Sequence, residues 1–329
     1  MLNFAMFGAG RIGQVHAQAL NFVDGVRLSA IADISEDAAA PVIKICDANY
    51  CSVDQILSDS SIDAVIIASP THLHAQQIEQ AALAGKHIFC EKPIDLELDK
   101  VKAVTKIVEQ SGVVFMLGFN RRFDHHFLEL KHQIEQGVVG EVESIQITSR
   151  DPQPPSLEYA KTSGGLFRDM TIHDFDMARY LLGEEFSYVQ ASGSILIAPE
   201  FGELGDVDTA VVVLKSVGGK LVSISNSRRA SYGYDQRIEV HGSKGMLIAD
   251  NPKHNTLLSA NQFGYHTEPL MDFFLDRYRL AYQQELQSFV RVLGGDEMKL
   301  PNCDDGIKAL ELAEAALKSL KTSKAVFLS

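Results

Sequence analysis

The chain has 329 residues, 46% of them hydrophobic, and a formal net charge of −13 from 43 acidic and 30 basic side chains. That length supports two ordinary domains, and an acidic balance without a basic face argues against nucleic acid or a polyphosphate and for a neutral small molecule as partner. No apolar run approaches the roughly 20 residues that span a bilayer, no signal or transit pattern precedes the strand-like run after Met1, and Cys46, Cys51, Cys90 and Cys303 have neither CxxC nor zinc spacing, so a cytoplasmic protein with reduced thiols is expected.

In chain order, "LNFAMFG", "VRLSAIAD", "DAVIIASP", "KHIFCEKP" and "VVFMLGFN" read as strands, and "GQVHAQALNFV", "HAQQIEQAALAG" and "ELDKVKAVTKIVEQSG" as helices between them. This alternation predicts a doubly wound parallel sheet covered on both faces. The unbroken apolar character of the strands agrees with burial on both sides. After about Asn120 the pattern changes. A helix, "FDHHFLELKHQIEQG", leads to a strand, "EVESIQITSRD", and a Pro-rich stretch, "DPQPPSLEYAKTSGG". From Tyr188 to Asp250 consecutive strands follow, including "QRIEVHGSKGMLIAD", several alternating as an antiparallel sheet with one solvated or partner-covered face. Helices return at "YQQELQSFVRVLGG" and "DDGIKALELAEAALKSLK". The expected organisation is an α/β dinucleotide-binding domain over 1–120 and an α+β domain over 121–329.

"FAMFGAGRIGQVHAQAL" sets Gly8, Gly10 and Gly13 as GxGxxG directly after the first strand, and Asp33 ends the second strand about 20 residues later. In that context the loop, with Arg11 and Ile12, would bring helix-terminal N–H groups to a pyrophosphate. Asp33 would bond the adenosine ribose and repel a 2′-phosphate, favouring NAD over NADP. "SPTHLHA" ends another strand at the edge where doubly wound sheets hold ligands. Ser69 and Thr71 would lie at the cofactor, Thr71 would also cap the next helix, and His72 or His74 would either line the nicotinamide end or serve the helix start. In "FCEKPID", Glu91 and Lys92 follow the next strand, and the lysine charge would point toward the nicotinamide.

Within "GGLFRDMTIHDFDMARYLLG", Asp169, His173 and Asp176 are spaced by four and three, which puts them on one helical face. Leu166, Phe167, Ile172, Phe175, Tyr180 and Leu181 otherwise give the segment the pattern of a buried helix, so the stripe is expected to face a cleft. Asp174 is expected in solvent. Asp169 and His173 have no evident third partner for a metal, and none is expected.

Together the glycine fingerprint, "EKP", "GFNRRFD" and "GGLFRDMTIHDFD" resemble the glucose–fructose oxidoreductase/inositol dehydrogenase (Gfo/Idh/MocA) family over nearly the whole chain. "GFNRRFD", "SRDPQPP" and "NSRRASYGYDQRIEVHGSKG" are most similar to its bacterial inositol 2-dehydrogenases. The resemblance implies a Rossmann domain followed by an α+β domain with an open, mostly antiparallel sheet, whose outer face would form the interface of a homo-oligomer, either a dimer or a homotetramer. It implies catalytic roles for Lys92, Asp169 and His173 and a cis Lys92–Pro93 peptide. The implied reaction is NAD-dependent oxidation of myo-inositol to 2-keto-myo-inositol (scyllo-inosose). Scyllo-inositol, another inositol or a pyranose sugar are alternative substrates, and a cofactor-sensing regulator without turnover is the alternative of a different class.

Chemistry supports these roles. Removing the hydroxyl proton of a secondary alcohol needs a base and a nearby positive charge. His173, of a residue type whose unperturbed pKa is about 6.5, suits the base. Asp169 would orient it, Asp176 would complete the stripe structurally, and Lys92 would stabilise the developing oxyanion or share the proton relay. A polyol pocket needs mixed donors and acceptors. One of Arg121 and Arg122, taken as Arg121, would reach a substrate hydroxyl and the other form a salt bridge. Asp151, Tyr232 and Tyr234 fit the same pocket, whereas Arg228 and Arg229 would serve the sheet face or a subunit contact.

Overall fold

A computed structural model describes residues 1–328. The first half runs β1 (Leu2–Phe7), α1 (Arg11–Leu20), β2 (Val26–Ala32), α2 (Glu36–Cys46), β3 (Asn49–Tyr50), α3 (Val53–Ser58), β4 (Ala64–Ile67), α4 (Thr71–Leu83), β5 (His87–Glu91), α5 (Leu98–Ser111) and β6 (Phe115–Gly118). After a 3-10 turn at Asn120–Phe123 come α6 (His125–Glu135), β7 (Val142–Arg150), α7 (Leu157–Thr162), α8 (Ile172–Leu182), β8 (Phe186–Ser194), α9 (Glu200–Glu203), β9 (Thr209–Ser216), β10 (Leu221–Ser227), β11 (Asp235–Gly242) and β12 (Gly245–Ala249). A hairpin, β13 (Leu258–Asn261) and β14 (Gly264–Thr267), precedes α10 (Phe274–Arg277), α11 (Arg279–Leu293), α12 (Cys303–Thr322) and β15 (Val326–Phe327).

Two units divide these elements. The first comprises Met1–Phe123 with Arg279–Leu310, the second Asp124–Tyr278 with the chain from Glu311 onward. In the first, six parallel strands lie in the order β3-β2-β1-β4-β5-β6. Strands β4 and β6 are buried at every residue, as their continuous apolar runs require in a sheet covered on both faces. The sequence suggested one boundary near Asn120, yet the chain returns to this unit through α11. The apolar stripe of α11 explains the return: Phe289 packs edge-on against Phe4 and Phe89, with centroids 5.8 and 6.1 Å apart.

The second unit holds a seven-stranded sheet, β12-β11-β7-β10-β9-β8-β15. Among the described residues of this sheet, only the β7–β10 pairing is parallel. Period-two alternation sets its faces: in β9 Ala210, Val212 and Leu214 are buried while Val211 and Val213 are exposed. "QRIEVHGSKGMLIAD" forms two strands rather than one, because the chain reverses between Gly242 and Gly245. Among the described residues no helix is long and apolar enough to cross a membrane.

Candidate active site

In the first unit the GxGxxG loop is built by close backbone approach. Gly8 has φ +96°, and a Cβ there would lie 2.6 Å from Ala68 O. A Cβ on Gly13 would lie 2.2 Å from Gly8 O, so neither position accepts a side chain. Gly10 caps α1 with no side-chain hydrogen bond and with open space around it, so no capping side chain covers this helix start. Arg11 is exposed and Ile12 half-buried beside it. Asp33 faces the same loop: one carboxylate oxygen accepts the Ala9 N–H at 2.6 Å and the other the Ile34 N–H at 2.6 Å.

Lys92 follows β5 and is partly exposed, and Lys92–Pro93 is cis. Glu91 is buried beside it, receiving the Lys92 N–H at 3.2 Å. Ser69 Oγ donates to Gln77 Oε1 at 2.5 Å. Two expectations change at α4. Thr71 is not a cap, because α4 starts at Thr71 itself and Pro70 holds the N-cap position with no side-chain bond. His74 is buried at 2% exposure, with Nδ1 2.8 Å from Pro93 O and Nε2 2.7 Å from Ser69 O. Both ring nitrogens are thus engaged by carbonyls, and His74 offers no open polar edge to a cofactor. His72 is exposed. Of the two arginines after β6, both buried, Arg122 forms the salt bridge, pairing with Asp305 at 2.8 Å.

In the second unit Asp169 stands on a π-helical turn, Phe167–Thr171, that feeds directly into α8 and carries His173 one residue inside it. The wider turn breaks the simple 3.6-residue phase assumed for the stripe. Asp169 Oδ1 accepts the Tyr159 hydroxyl at 2.8 Å, and its Oδ2 lies 3.8 Å from Arg228 Nη1. Asp169 and His173 are partly exposed while Asp176 is buried. Asp174 is not solvated: it is fully buried and accepts Asn226 Nδ2 at 2.7 Å, and Asn226 in turn accepts the Thr171 hydroxyl at 2.8 Å.

Arg228 is not a sheet-face residue either. It is buried, with Nη2 3.4 Å from Asp206 Oδ2 and its guanidinium 5.1 Å from the centre of the Phe201 ring. Arg229 is exposed. Asp151 follows β7 and is half-buried, its N–H bonded to Ser227 O at 3.0 Å. Tyr234 is buried edge-on to Phe273 and Tyr278, whereas the Tyr232 hydroxyl donates to Asp235 at 2.7 Å and accepts from Arg150.

Residues 2–119 match the family model for the oxidoreductase family with an NAD-binding Rossmann fold, and residues 127–248 match the GFO/IDH/MocA C-terminal domain. The chain belongs to this family. It is 47% identical to an inositol 2-dehydrogenase of Rhizobium meliloti over 99% of this chain and 98% of the relative. The crystal structure of a myo-inositol dehydrogenase from Corynebacterium glutamicum aligns with a TM-score of 0.95 at 40% identity, covering 100% of this chain and 99% of that one. A myo-inositol dehydrogenase from Lactobacillus casei, solved in complex with NAD(H) and myo-inositol, aligns with a TM-score of 0.88 at 27% identity, covering 100% and 97%. The protein is therefore an NAD-binding oxidoreductase. The Gly8–Gly13 approach, too close for any Cβ, and the paired oxygens of Asp33 fit that cofactor.

Sequence reasoning missed His16, Tyr159, Asp206 and Glu285. A signal existed for two of them. Gly13, His16, Ala17 and Leu20 share the inward stripe of α1, and Tyr282, Glu285 and Phe289 share that of α11.

Proposed function

We propose that the chain is an NAD-dependent inositol 2-dehydrogenase that oxidises myo-inositol to 2-keto-myo-inositol. The observation that carries this reading is the end-to-end similarity to the inositol 2-dehydrogenase of Rhizobium meliloti. Bound NAD supplies the hydride acceptor. His173 takes the proton from the substrate hydroxyl at a ring nitrogen, and the Lys92 ammonium stabilises the negative charge that grows on that oxygen. Asp169, fixed by Tyr159 and Arg228, supplies a charge that orients the histidine and stabilises its protonated form. Arg121, Asp151 and Tyr234 bind the remaining hydroxyls. Gly8, Gly10, Arg11, Ile12 and Gly13 hold the pyrophosphate, Asp33 the ribose, and Ser69, Thr71 and Glu91 the nicotinamide end.

The proposed assembly is a homotetramer formed through the open face of the seven-stranded sheet. The exposed Val211, Val213, Leu221, Met246 and Ile248 support it. The proposed compartment is the cytoplasm, which would keep the four thiols reduced.

The test is NADH formation with myo-inositol, scyllo-inositol, chiro-inositols, glucose and xylose, each with NAD and with NADP. Turnover fastest with myo-inositol and NAD is expected. Activity confined to a sugar would overturn the substrate, and silence with every polyol would overturn the enzyme reading.

A further inference from the structure

The segment carrying Lys92 is held on both sides by buried histidines, and each comes from a helix that starts at a candidate cofactor loop. His16 lies on α1, three residues after Gly13, and is fully buried. Its Nε2 is 2.7 Å from Glu91 Oε1, while Glu91 Oε2 receives the Lys92 N–H at 3.2 Å. His74 lies on α4, five residues after Ser69, with Nδ1 2.8 Å from Pro93 O and Nε2 2.7 Å from Ser69 O, and its neutral ring donates to one of these carbonyls while packing against the other. The residue before the lysine and the residue after it are therefore tied to different helices. We propose that His16 and His74 are positioning residues for Lys92, transmitting the placement of the two cofactor-facing helix starts to the lysine backbone.

Packing leaves the first of these links little freedom. The His16 ring meets Phe89 and Tyr282 edge-on, with centroids 5.0 and 5.5 Å away. A Cβ at position 118 would come within 3.3 Å of Glu91 Oε2, so Gly118 makes room for the carboxylate where it stands. Glu285 on α11 completes the cluster: ligand atoms of His16, Glu91 and Glu285 all lie within 4.8 Å of one another. Glu285 is fully buried and neither of its oxygens has a hydrogen-bond partner. Burial first, and the charge of Glu91 second, push its pKa well above the ordinary carboxyl range. With Glu285 held neutral by its burial, the contact from α1 toward the lysine runs through Glu91.

This inference rests on the assignment of Lys92 as catalytic, and the experiment separates the two. In the intact chain, kcat, both KM values and NAD affinity by calorimetry are compared for wild type, Lys92→Ala, His16→Leu, His16→Gln and His74→Leu. A second readout, independent of turnover, is the rate at which the Lys92 amine is acylated in the cofactor-free protein, followed by mass spectrometry. Both leucine variants should lose kcat by about tenfold or more with NAD affinity and KM within about threefold, since small misplacement of a reacting group is costly. Their Lys92 acylation rates should change by about threefold or more. His16→Gln, whose amide nitrogen still reaches Glu91, should keep kcat within about threefold. Leucine variants with wild-type kcat and acylation, or losses of kcat matched by equal losses of NAD affinity, would overturn the proposal. Full activity of Lys92→Ala would instead overturn the catalytic assignment, and acylation alone would then judge the positioning. Should His16→Leu fail to fold, His16→Asn, too short to reach Glu91, is judged by the same criteria.

Discussion

The buried guanidinium of Arg228 stands 3.8 Å from the carboxylate of Asp169, on the opposite oxygen from the one held by the Tyr159 hydroxyl. The same guanidinium faces Asp206 at 3.4 Å, and Asp206 in turn receives the Leu166 N–H at 2.9 Å where the π-helical turn begins. One cation thus fixes both the candidate catalytic carboxylate and the start of the turn that presents it. Removing it takes a buried positive charge away from two acidic groups. Arg228→Met is expected to cost about 3 kcal/mol of stability in urea unfolding. A cost below about 1 kcal/mol would show that the pairing contributes little.

Tyr159 is a gentler probe of the same carboxylate. It is partly exposed, so its loss should leave the fold intact while removing the hydroxyl bond to Asp169 Oδ1. Tyr159→Phe should lower kcat/KM by roughly three- to tenfold, the effect of about 1 kcal/mol, with NAD affinity unchanged. Unaltered kinetics would separate the Tyr159–Asp169 bond from catalysis.

The glycine loop gives a steric prediction. A Cβ at Gly13 would sit 2.2 Å from Gly8 O, and backbone must move to admit it. Gly13→Ala should weaken NAD binding by about tenfold or more, measured by calorimetry, while the second unit keeps its cooperative unfolding. Wild-type affinity in this variant would contradict the placement of the pyrophosphate at this loop.

Glu285 makes stability depend on pH. Its raised pKa means that the native state keeps a proton that the unfolded chain releases above about pH 4.5. Its contribution to stability is therefore highest in acid and declines as pH rises toward the native pKa, by at most about 1.4 kcal/mol per pH unit. Glu285→Gln carries no such proton, so it should gain stability relative to wild type as pH rises from 5 to 8, in urea titrations at each pH. A variant that instead loses ground with rising pH would mean an ionised Glu285, as a bound cation would require.

Much of the fold was legible because burial leaves a periodic trace. β4 and β6 are apolar throughout, and the alternation in β9 announces a one-sided sheet. GxGxxG marked the tight turn after β1 for the same reason: close backbone approach there excludes side chains. What the sequence hid depends on distant partners. Asp174 is buried because Asn226, 52 residues away, satisfies it, and no local pattern announces that pairing. Arg228 looked like a surface arginine until Asp169, Asp206 and Phe201 surrounded it. The return of α11 to the first unit is also long-range. The aromatic contacts of Phe289 with β1 and β5 reveal it.

The most direct measurement is NADH formation from NAD and myo-inositol by wild type and Lys92→Ala, with NAD affinity measured on both by calorimetry. The account predicts turnover by wild type, a kcat at least about a hundredfold lower in Lys92→Ala, and NAD affinities within about threefold of each other. Comparable turnover by the two proteins, or none by wild type, would contradict it.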